Sequence, residues 1–157
     1  MKKVRFIVSV FILSVSSAVA LSQETSPNNA YTQSVTREVL VSGFPGNAEG
    51  QILELVRYTI AKGAKLPVHI HPGMQIERVE FGILTYTVVK GSATLKRANG
   101  TQEILSAGQT TQLNVGDSLV EPAGMVHFGE NSTASPVILL SASLLDAKQP
   151  KAILINP

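Results

Sequence analysis

From Val35 to the C-terminus, no window of a dozen residues carries a clean 3.6-residue hydrophobic period. The apolar residues recur instead in short β-branched runs punctuated by Gly, Pro and Asn. A chain without amphipathic helices must bury its apolar groups between sheets, so the pattern predicts an all-β domain, a sandwich or barrel of short strands. The expected strands are Arg37–Val41, Gln51–Ala61, Lys65–His71, Glu77–Val89, Ala93–Arg97, Thr101–Leu105, Ser118–Val120, Met125–Phe128 and Val137–Leu144. Gly43–Asn47 reads as a loop, Lys62-Gly63 as a turn and Asn99-Gly100 as a two-residue hairpin connection. The tail from Lys148 to Pro157 reads as one more edge strand or as a docked end.

The N-terminal segment follows a different logic. Lys2, Lys3 and Arg5 form a basic start, Phe6–Val15 is an apolar run broken only by serines, and Ala18-Val19-Ala20 is an A-x-A cleavage site. Residues 1–20 are therefore expected to be a signal peptide, 21–34 a flexible leader poor in apolar groups, and 35–157 the folded domain. The apolar run is shorter than the roughly 20 residues that span a bilayer, so no membrane association is expected after cleavage, and the mature chain is expected in a periplasm or outside the cell. The formal charge of +2 belongs to this segment: without it ten basic side chains face eleven acidic ones. No Lys or Arg run remains to neutralise a row of phosphates, which speaks against a nucleic-acid partner. The absence of cysteine excludes disulfide frameworks, thiolate metal sites and a cysteine nucleophile.

Only three histidines occur, His69, His71 and His127. Alternation along a strand puts His69 and His71 on one face, a usual way to aim two imidazoles at one metal ion, although two such histidines can equally be polar surface. Without a fourth histidine, a Ser-His-Asp triad could form only by taking one of these three.

Spacing adds to this. Gly63 is followed after five residues by His69, Ile70 and His71, then after three residues by Gln75 and after six more by Gly82. Gly116 is followed after five residues by Pro122, then by Ala123 and Gly124, after two residues by His127 and after three more by Asn131. These segments resemble, in order and without gaps, the two sequence motifs of the cupin family. His71-Pro72-Gly73 resembles the form common in small single-domain, quercetin-dioxygenase-like cupins. The glycines and Pro122 read as turn residues, with Glu121–Gly124 as one tight turn. The resemblance implies a cupin-like jelly-roll β-barrel. It also implies a divalent metal, Fe, Mn, Zn, Cu or Ni, held by His69, His71 and His127 with Gln75 or Glu77 completing the shell.

The chain departs from the family at Gln75, where metal-binding members generally carry Glu. A neutral amide would leave the ion's charge uncompensated and favour an anionic ligand. Glu77, two residues on, would share the face of Gln75 in extended backbone. It is a candidate fourth ligand or a general base, and equally a surface charge paired with Arg78. Asn131 reads as fixing a turn, while Arg57, Tyr58 and Tyr86 point either inward or to solvent. The functional expectation is an exported, metal-dependent, dioxygenase-like cupin acting on a small anionic or enolizable molecule. The alternatives are a non-catalytic barrel that binds a small molecule or metal, and a structural barrel without metal. Pairing as a homodimer is a further expectation.

Overall fold

The computed structural model describes residues 34–155; the expected signal peptide and nearly all of the leader lie outside the described residues. Twelve strands follow in chain order: β1 (Val35–Gly43), β2 (Gln51–Ile60), β3 (His69–Ile70), β4 (Gly73–Phe81), β5 (Leu84–Lys90), β6 (Ser92–Lys96), β7 (Gln102–Ser106), β8 (Thr110–Leu113), β9 (Ser118–Glu121), β10 (Val126–Glu130), β11 (Val137–Asp146) and β12 (Ile153–Leu154). They form two antiparallel sheets, ordered β1-β2-β11-β4-β9-β6-β7 and β12-β3-β10-β5-β8. This is the expected all-β jelly roll, with the two sheets facing each other rather than closing into one continuous barrel.

Period-2 alternation decides what lies between the sheets. Val56, Tyr58 and Ile60 of β2, Val79 of β4, Leu84, Tyr86 and Val88 of β5, Leu95 of β6, Leu119 of β9 and Val137 and Leu139 of β11 are buried and form one core. Toward one end the same inward register carries polar groups instead: Gln75, Glu121, Ser141 and Ser143 are as buried as the leucines. A polar interior of this kind is stable only if its groups find partners. Among the described residues no buried side-chain nitrogen or oxygen lacks one.

Four expectations are corrected. The run Glu77–Val89 is not one strand: it breaks at Gly82, and its halves, β4 and β5, belong to opposite sheets. Gly82 has φ +81°, and a Cβ there would stand 2.6 Å from the Pro136 carbonyl oxygen, so the crossing needs both glycine's freedom and its lack of a side chain. The run Lys65–His71 pairs only at His69–Ile70 and through an isolated bridge at Lys65, since Pro67 has no N–H to give a ladder. The Asn99-Gly100 hairpin has a three-residue loop. Arg97 N donates to Thr101 O and Gly100 N to Arg97 O, and positive φ is confined to Gly100, whereas a two-residue type I′ turn requires it at both central positions. Finally, β8 had no signal in Thr110–Leu113, because an edge strand touching the core through one residue, Leu113, shows no alternation. The tail does form an edge strand: β12 pairs with β3.

The two glycines give a test. Ala at position 100 meets open space and should cost only the left-handed backbone strain, about 1–2 kcal/mol. Ala at position 82 adds a backbone collision and should cost about 3 kcal/mol or more. Urea denaturation of the two variants should separate them clearly, and equal losses would contradict the role given to Gly82.

Candidate metal centre

The smaller sheet delivers the three imidazoles. His69 on β3 and His127 on β10 are direct cross-strand partners. His71 lies just past β3, where its carbonyl accepts a hydrogen bond from Gly124 N in the turn that leads into β10. All three are buried, their ring centroids lie 4.3–5.2 Å apart, and their ligand nitrogens all fall within 4.8 Å of one another.

Backbone carbonyls hold the rings in place. Nδ1–H of His69 donates to Pro67 O at 2.8 Å, that of His71 to Lys151 O at 2.6 Å and that of His127 to Met125 O at 3.2 Å. With Nδ1 protonated, Nε2 carries the lone pair, the form in which imidazole binds a metal. Burial, reinforced by His127 and His71, pushes the His69 pKa down to about 2. Burial likewise lowers His71, although the charge of Glu121 pulls the other way. Neutral imidazoles are ready for a metal without first losing a proton.

The larger sheet faces them with an amide and two carboxyl groups. Gln75 is fully buried on β4, opposite Glu121 of β9 in the ladder. Its Oε1 accepts from Ser143 Oγ at 2.7 Å and Ser141 Oγ at 3.4 Å, and its Nε2 donates to Glu121 Oε2 at 3.4 Å. Glu77 shares the face of Gln75, lines the cavity and accepts a hydrogen bond from Ser141. Burial and then the neighbouring charge of Glu121 raise its pKa well above the usual carboxyl range. Its ion pair with Arg78 does not form; Arg78 pairs with Glu80 on the outer face.

Glu121 was not singled out by sequence. Its carboxylate lies 3.8 Å from His71 Nε2 and 3.5 Å from His127 Nε2 and accepts a hydrogen bond from the Tyr86 hydroxyl at 2.5 Å. The signal was present: Leu119 is apolar and two residues earlier, so Glu121 shares its inward face if the strand runs one residue past Val120. The tight turn in fact begins at Pro122, where Met125 N donates to Pro122 O, and this leaves Glu121 on the strand. The contribution of Lys151 O from the tail also had no signal, since any residue supplies a carbonyl.

Tyr58 and Tyr86 point inward, and burial raises both hydroxyl pKa values, that of Tyr58 to about 12. Arg57 points outward to Glu38. Asn131 fixes turns, as expected: its Nδ2 donates to Ile60, Ala61 and Ser135 carbonyls, and its Oδ1 accepts from Thr133. The cavity bounded by His69, His71, His127, Glu77, Glu121 and Tyr86 is small, about 30 Å³. That is room for an ion or for about two water-sized groups.

The sequence profile of the family described as Cupin matches residues 21–153. Among solved structures, a cupin 2 domain-containing protein from Halorhodospira halophila is 13% identical, with a TM-score of 0.53 over 80% of this chain and 72% of that one. A cupin superfamily protein from Desulfitobacterium hafniense is 16% identical, with a TM-score of 0.49 over 80% and 95%. A salicylate 1,2-dioxygenase from Pseudaminobacter salicylatoxidans is 15% identical, with a TM-score of 0.47 over 73% of this chain and 27% of that one. No curated protein matches by sequence.

The buried imidazoles predict an acid sensitivity of the metal-free protein. Below pH 6.5 an unfolded His69 binds a proton, whereas the folded one stays neutral to about pH 2. Stability is therefore lost as pH falls, by at most about 1.4 kcal/mol per pH unit. The raised pKa of Glu77 acts in the opposite sense, favouring the folded state as pH falls. Replacing His69 with Gln should remove the His69 part alone. Denaturation in chelator at pH 6.5 and 4.5 should show wild type losing about 1–3 kcal/mol more than His69→Gln, and equal losses would contradict a neutral, buried His69.

Proposed function

This chain belongs to the cupin family, and on that premise we propose that it is an exported, metal-dependent enzyme of dioxygenase-like type acting on a small anionic or enolizable molecule. The observation that carries the reading is the convergence of three buried imidazoles, each with Nδ1–H spent on a backbone carbonyl and with ligand nitrogens within 4.8 Å of one another. A buried group of three such nitrogens suits a divalent ion of the Fe, Mn, Zn, Cu or Ni class. When bound, the metal supplies Lewis acidity and, for the redox-active members, a site for dioxygen.

The chain's own residues do the rest. His69, His71 and His127 hold the ion, and the apolar wall of Val35, Ile60, Leu66, Leu84 and Leu139 keeps bulk water from the cavity. Glu77 lines that cavity, and burial raises its pKa well above the usual carboxyl range, the direction a general acid–base group needs. The cavity size restricts the reacting part of the substrate to a few atoms. The same tightness favours one alternative, a barrel that holds the metal or a small anion without turnover. The family match starts at residue 21, which leaves the proposed signal peptide outside it. Val41, Leu53, Met74 and Ile76, exposed on the larger sheet, support pairing of two copies, readable by light scattering.

Untagged protein purified without chelators should carry close to one transition metal per chain by elemental mass spectrometry, and His127→Ala should retain less than about a tenth of it. The metal-loaded protein should consume dioxygen with small enolizable acids, and His127→Ala should not. Absence of metal even after incubation with Fe, Mn, Cu, Ni and Zn would sink the reading. Metal without turnover would favour the binding barrel.

A further inference from the structure

The position where cupins generally carry a carboxylate holds an amide, and the amide is committed elsewhere. Gln75 turns its oxygen to Ser143 and Ser141 and its NH₂ to Glu121. An NH₂ group has no lone pair to offer a metal. Directly across the β4–β9 ladder, Glu121 places Oε1 3.5 Å from His127 Nε2 and Oε2 3.8 Å from His71 Nε2.

Those two contacts bring together atoms of the same kind. Each imidazole has given its proton-bearing Nδ1 to a carbonyl, so each Nε2 is an acceptor facing a carboxylate oxygen that is also an acceptor. Two acceptors repel unless a donor or a cation stands between them, and a metal ion satisfies both at once. In a tetrahedral shell with ligands about 2.1 Å from the ion, neighbouring ligand atoms stand about 3.4 Å apart, close to the separations found. The remaining contacts of Glu121 orient it: Tyr86 donates to Oε1 and Gln75 to Oε2.

We propose that Glu121 is the carboxylate ligand of this centre, carried on β9 instead of β4, and that Gln75 is the residue that positions it. The proposal rests on the metal-binding reading above. It explains why position 75 is an amide: a second carboxylate there would face Glu121 across the ladder, like charge against like charge, whereas Gln donates to it. It also narrows the substrate. Three neutral imidazoles and one carboxylate leave a divalent ion with a single net positive charge, suited to a monoanionic donor such as a carboxylate or enolate.

The test uses Co(II) as probe and four proteins: wild type, Glu121→Gln, Gln75→Glu, and the double variant that exchanges the two groups across the ladder. Glu121→Gln should lower Co(II) affinity by about tenfold or more, in the range lost when a metal site is damaged, and should change the visible d–d spectrum, which a residue outside the coordination shell would leave nearly unmoved. The double variant should recover most of the affinity, with its own spectrum; Gln75→Glu alone should not exceed wild type. If wild type binds one Co(II) that His127→Ala abolishes, yet Glu121→Gln keeps the wild-type spectrum, the assignment of Glu121 is wrong while the metal reading stands. Failure of wild type to bind Co(II) overturns both. Should Glu121→Gln not fold, the double variant decides: a changed d–d spectrum supports the assignment, and the wild-type spectrum overturns it.

Discussion

Three imidazoles packed side by side between two sheets impose one requirement on everything around them: each ring needs a fixed partner for Nδ1, or its polar edge is buried unsatisfied. The chain meets it with main-chain carbonyls from three places, Pro67 before β3, Met125 before β10 and Lys151 in the tail. The pairing of β3 with β10 brings His69 and His127 together, and that of β12 with β3 brings Lys151 to His71. The smaller sheet thus fixes the orientation of these rings, and with Nδ1 protonated the lone pair lies on Nε2.

The larger sheet contributes what imidazoles cannot, carboxyl groups. Gln75, Glu77 and Glu121 lie on two adjacent strands, their side chains satisfied by Ser141, Ser143 and Tyr86. Close placement of Glu77 and Glu121 sets Glu77 apart: burial, and then the charge of Glu121, raise its pKa well above the usual carboxyl range. The carboxyl groups and the imidazoles line the same small cavity of about 30 Å³.

Much of this architecture was legible in the residues. Absence of a helical period gave the all-β class, and the spacing around His69, His71 and His127 located the three imidazoles the structure brings together. Asn131 was legible as a turn-fixing residue because its amide suits many carbonyl partners. What escaped depended on single-residue boundaries or on backbone atoms. Ending β9 at Val120 instead of Glu121 hides a carboxylate 3.5 Å from His127 Nε2, and reading Glu77–Val89 as one strand misses the crossing at Gly82. The role of the tail is carried by a carbonyl that no side chain advertises, and β8 by an edge position that needs only Leu113 to be apolar.

The most direct measurement of the central claim is the anomalous scattering of a crystal grown with Zn(II). One peak per chain is expected, bounded by Nε2 of His69, His71 and His127 and by a carboxylate oxygen of Glu121, each about 2.0–2.2 Å from the ion, with the Gln75 amide hydrogen-bonded to that carboxylate. A peak ligated by Gln75 or Glu77 in place of Glu121, or lying away from the three imidazoles, would contradict it.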